Sequence, residues 1–91
     1  MAKVRVPRKG VTAAELASVL GRRLGPEFQV AADAGEVIAR RSPLSAVVVR
    51  IATVPGATVF RVRGVGMPVV SAVTARAVAD ALRRSPEFRS V

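Results

Sequence analysis

The residues of this chain best equipped for chemistry are its arginines, and their spacing is regular. Val4 and Val6 alternate with Lys3 and Arg5, Val47, Val49 and Ile51 are offset from Arg50, and Phe60 and Val62 are offset from Arg61 and Arg63. A period of two belongs to a strand, whose successive side chains point to opposite faces. Placed in one sheet, these segments give an aliphatic face and a second face carrying Lys3, Arg5, Arg40, Arg50, Arg61 and Arg63, with Ala46, Val48 and Val59 between them. Arginine stays charged at any working pH and holds its donors in a planar fork that fits phosphate or carboxylate. The chemistry implied is anion binding. A nucleic-acid backbone is the expected partner, and an acidic protein surface is the other anionic partner such a face could meet.

Two glycines form a second candidate. Gly64-Val65-Gly66 lies between a strand pattern and a helix pattern, where backbone N–H groups at the helix start could hold an anion. A dinucleotide fingerprint needs a third glycine, and Val69 stands in its place. Tight packing at a strand-to-helix link explains the pair equally well.

Catalysis has little to work with. The chain has no His and no Cys, which removes the commonest general base, the commonest transition-metal ligand and the thiolate nucleophile. Ser42, Ser45 and Ser71 have no partner at a recognisable spacing, and Asp33 and Glu36 flank a turn that accounts for them. The expectation is a non-enzymatic protein with no catalytic residues, no metal and no cofactor.

Composition sets the frame. With 91 residues the chain has room for one domain, 1–91, and a thin core. Only three residues are aromatic, so Val, Ala, Leu and Ile must fill that core. Fifteen Lys and Arg against six Asp and Glu give a net charge of +9, and of the cations only Lys3 and Lys9 are lysines. An ordinary solvated surface with arginine in place of lysine is the bland alternative to an anion-binding role. A basic start without an apolar stretch is unlike a signal peptide, and no run reaches the ~20 apolar residues of a membrane span. A cytoplasmic location is the expectation.

The elements that must position these residues can be read in order. Lys3 to Pro7 is a short strand. Thr12 and Glu15 form a capping box, with Val11 and Leu16 at the positions of a hydrophobic staple. Leu16, Val19, Leu20 and Leu24 make the buried stripe of the helix that follows, and Gly25-Pro26 stops it. Glu27 to Ala32 is a strand, Asp33-Ala34-Gly35 a hairpin loop, and Glu36 to Arg41 a strand whose inward face is ambiguous. Ser45 to Thr53 and Thr58 to Arg63 pair around Pro55-Gly56, a type II turn signal. Pro68 opens a second helix with an expected stripe of Val70, Val73, Ala77, Val78, Ala81 and Leu82. That Ala-rich stripe is too small to anchor Arg76, Arg83 and Arg84 on a membrane surface. The two helix exits resemble each other: Arg22-Arg23 precedes Pro26-Glu27-Phe28 as Arg83-Arg84 precedes Pro86-Glu87-Phe88. Phe88 is therefore expected to fold back onto the core, with 85–91 a short terminal strand or tail.

The order β-α-β-β-β-β-α makes an α+β fold, a two-layer antiparallel sheet with both helices on one face and the other face open. This order resembles one repeat of the TATA-box-binding-protein fold and its helix-grip relatives, in topology only. In those proteins the open sheet face meets the minor groove and wedges phenylalanines between bases. The open parity of this chain has no aromatic, which argues for backbone contacts rather than wedging or stacking. The alternative function is self-association into a homodimer through the sheet edge or face, consistent with a mean hydropathy of +0.37.

Overall fold

The computed structural model describes residues 2–88. Five strands form one antiparallel sheet: β1 (Ala2–Val6), β2 (Gln29–Asp33), β3 (Glu36–Ser42), β4 (Ser45–Val54) and β5 (Ala57–Gly66). Helix α1 (Ala13–Leu24) joins β1 to β2, and helix α2 (Pro68–Arg84) follows β5. The spatial order is β1-β5-β4-β3-β2, so the two strands that flank α1 lie at opposite edges of the sheet. Helix α1 packs over β2 and β3, α2 packs over β1, β4 and β5, and the helices touch each other. This is the expected α+β architecture.

Local chemistry explains the elements. Thr12 Oγ1 accepts from the Glu15 backbone N–H at 3.1 Å, which caps α1. The Glu15 carboxylate takes the Arg8 guanidinium as its ion-pair partner. The β2–β3 loop has two residues, Ala34 and Gly35, with φ of 47° and 81°. Two positive φ values in a row match the right-handed twist of the flanking strands. That loop starts one residue later than the sequence indicates, because Asp33 pairs with Glu36 as the last rung of the ladder.

The core lies between the helices and one sheet face. Val37, Val47, Val49, Phe60 and Val62 come from the sheet, Leu16 and Leu20 from α1, and Val78 and Leu82 from α2. Register resolves β3: Val37 and Ala39 are buried while Ile38 and Arg40 lie on the other face. Phe88 is 0% exposed and meets Phe60 edge to face at 5.1 Å between centroids. It belongs to a 3₁₀ turn, Pro86–Phe88, and not to the terminal strand or tail expected for 85–91. Phe88 N–H bonds the Ser85 carbonyl, so the chain curls inward after Ser85 rather than extending along a sheet edge. The expectation for 89–91 lies outside the described residues.

Helix α2 departs from its expected stripe. Ser71, Thr74, Val78, Ala79 and Leu82 are buried, whereas Val70 and Val73 are exposed. Turning the helix this way buries the hydroxyls of Ser71 and Thr74, and both are satisfied; Ser71 donates to the Pro68 carbonyl at 3.2 Å. Thr74 donates to the Val70 carbonyl at 2.9 Å, and Ser45 Oγ lies 2.7 Å from Thr74 Oγ1. With the Thr74 proton already committed, Ser45 is the donor of that pair.

Candidate nucleic-acid interface

Register assembles the open face into a grid. In one row Lys3 stands opposite Arg61, Arg61 opposite Arg50, Arg50 opposite Glu36, and Glu36 opposite Asp33. The next row runs Arg63, Val48, Ile38, Ala31. Directly opposed side chains in an antiparallel pair have Cβ atoms roughly 5 Å apart. Lys3, Arg61 and Arg50 are therefore three cations in consecutive contact positions, with Arg63 beside them. Together with Val48 these four line a shallow hollow of about 220 Å³.

Acids are scarce on this face. Arg50 Nε bonds Glu36 Oε1 at 2.9 Å. Among the described residues, Lys3, Arg5, Arg61 and Arg63 make no ion pair. The acids lie elsewhere: Glu15 takes Arg8, Glu87 takes Arg22 and Arg23, Glu27 takes Arg41, and Asp80 takes Arg83. The face is graded, cationic over β1, β5 and β4 and acidic at the β2–β3 hairpin.

The sequence-derived residues do not all converge. Lys3, Arg50, Arg61 and Arg63 come together, and Arg5 lies one row away, opposite Val59. Arg40 is on the same face but faces Ala46 and Gln29, beyond the Val48–Ile38 row. Ala46, placed between the arginines by parity, is buried.

Gly64 and Gly66 belong to β5 rather than to a loop at the start of α2. A Cβ on Gly64 would come 2.5 Å from the Ser71 carbonyl oxygen, and one on Gly66 would collide with the Leu44 carbonyl. These positions are glycine because α2 and the β3–β4 turn approach the strand too closely for any side chain.

Sequence reasoning missed a patch at this end of the molecule. Leu44, Val65, Met67, Val69, Val70 and Val73 are all exposed, Val69 by 77% and Val73 by 60%. The stripe count misassigned Val70 and Val73 because it ranks aliphatics above hydroxyls, and nothing local to α2 reveals the Ser45 partner that makes Thr74 welcome inside.

Comparison with protein-family models, characterised proteins and solved structures finds no match. Among the described residues no helix is long and apolar enough to cross a membrane, and no group of three or more His, Cys, Asp or Glu could hold a metal ion.

Proposed function

We propose that this chain is a non-enzymatic module that binds the backbone of nucleic acid through its open sheet face. One observation carries the reading: Lys3, Arg61 and Arg50 are directly opposed, with a single acid, Glu36, at the end of their contact. Like charges in opposed positions destabilise a sheet, and a bound polyanion relieves that repulsion. The absence of an exposed aromatic on the described face favours contacts to phosphate over base stacking, hence low sequence specificity. The test is fluorescence anisotropy with labelled duplex and single strand at several salt concentrations. Three to four phosphate contacts give a log–log salt slope of roughly −3 on duplex. Arg50→Ala with Arg61→Glu is expected to remove binding while leaving the circular-dichroism spectrum unchanged. No binding by the native chain at low salt removes the proposal.

A second reading, a self-associating assembly module, is favoured by the exposed aliphatic patch. Residues 64–75 carry no charge, so two copies meeting through Val69 and Val73 keep their cationic faces apart. Sheet-to-sheet packing would bury unpaired guanidinium groups, which is costly. Sedimentation decides: a dimer that Val69→Lys with Val73→Lys dissociates supports this reading, and a concentrated monomer ends it.

A further inference from the structure

A second depression adjoins the first on the α2 side of the sheet. Its floor is made by the small residues Ala72, Ala75 and Ala79, and its cationic rim by Arg63, Arg76 and Arg83. Arg76 and Arg83 are seven residues apart on one helix face, roughly 10 Å along the axis. Arg63 lines both depressions: it belongs to the hollow with Lys3, Arg50 and Arg61, and also to the groove beside α2. It stands one residue past the Ala2–Val62 pair of β1 and β5, where the sheet gives way to the helix layer. The nearest acid on α2 is Asp80, held by Arg83 at 3.2 Å in a half-exposed pair that a phosphate can displace.

Resting on the nucleic-acid reading above, we infer that the bound polymer is single-stranded and does not stop at the sheet. It turns around the edge at Arg63 and continues along α2, so that phosphate contacts pass from Arg61 through Arg63 to Arg76 and Arg83. Double-stranded DNA has a persistence length of about 150 base pairs and cannot follow a turn between the two layers of a molecule whose extents are 36 × 24 × 23 Å. A single strand bends freely at every phosphate. The alanine floor puts no bulky side chain into the groove, whose volume is about 410 Å³, and the guanidinium forks on the rim supply the donors.

The probes are a labelled twelve-nucleotide single strand, a four-nucleotide single strand and a twelve-base-pair duplex. The variant is Arg76→Ala with Arg83→Ala, two exposed positions, checked by thermal melting to have the native midpoint. On the twelve-nucleotide strand the variant is expected to bind severalfold more weakly, with a salt slope shallower by about 1.4, since each single-strand contact contributes about 0.7. Binding of the four-nucleotide strand and of the duplex stays at the native level. An unchanged twelve-nucleotide slope overturns the inference, and so does an equal loss on duplex; in either case the sheet-face reading survives if Arg50→Ala with Arg61→Glu still removes binding. A native chain that binds none of the probes removes both.

Discussion

Arg61 sits between Lys3 and Arg50, and this placement costs stability in the free protein. Arg61→Glu converts two repulsive pairs into attractive ones, each worth roughly 0.2–1 kcal/mol. The variant is expected to melt higher than the native chain at low salt and to lose the gain as salt rises, read by circular dichroism. A lower midpoint would mean that the three side chains avoid one another. Gly66 shows the opposite kind of constraint, set by backbone. Its φ of 124° and the Leu44 carbonyl against it leave no room for Cβ. Gly66→Ala is expected to cost at least roughly 1–3 kcal/mol from the backbone alone, seen as a lower urea midpoint. The sequence marked Gly64 and Gly66 as special but could not say why, because the atoms they make way for belong to Ser71 and Leu44.

At the scale of the element, α2 shows how tertiary context outweighs a local pattern. Val70, Val73 and Ala77 have helical spacing, yet the helix turns Ser71 and Thr74 inward. Ser45, whose sequence neighbours are ordinary strand residues, supplies the partner. Thr74→Val removes the acceptor of the buried Ser45 hydroxyl and is expected to cost roughly 1–3 kcal/mol, while Ser45→Ala combined with Thr74→Val recovers part of it. A double-mutant cycle by urea denaturation measures the coupling; additive losses would separate the two hydroxyls energetically. Helix α1 and the β4–β5 hairpin were legible. Thr12 caps α1 as its position implies, and the Pro55–Gly56 turn joins β4 to β5 as expected.

Across the whole molecule, four of the six acids, Glu15, Glu27, Asp80 and Glu87, pair with arginines away from the cationic row, and Glu36 alone pairs with an arginine of it. Glu87 reaches Arg23 at 2.8 Å and Arg22 at 3.3 Å, tying the exit of α2 to the exit of α1. The hydrogen bond from Arg23, helped by a backbone hydrogen bond and the Arg22 charge, holds the Glu87 carboxyl below its ordinary value. Its folded value is depressed, so its contribution is fully present above the unfolded carboxylate range, about 4.3. That contribution fades as pH falls through the lower folded value. The expected outcome is loosening of the Phe88 turn in acid, followed by the Phe88 ring resonances in NMR. Glu87→Gln should flatten that acid dependence, and an unchanged profile would mean that the clamp does not hold Phe88.

What the sequence determined by itself was the period of each element and the residues that begin and end it. Alternation of Val with Arg assigns a strand two faces, and Thr12, Gly25, Pro55 and Pro68 mark boundaries through local stereochemistry. Only the tertiary structure decided which residues meet. Register set Lys3, Arg61 and Arg50 in one row and left Arg40 apart, and it settled the inward face of β3. The rotation of α2 exposed Val69 and Val73 and brought Arg76 and Arg83 to the groove that Arg63 shares. The reason is the range of the forces. Strand parity and helix caps arise within a few residues, whereas register and helix rotation minimise the free energy of contacts between segments distant along the chain, such as Ser45 with Thr74.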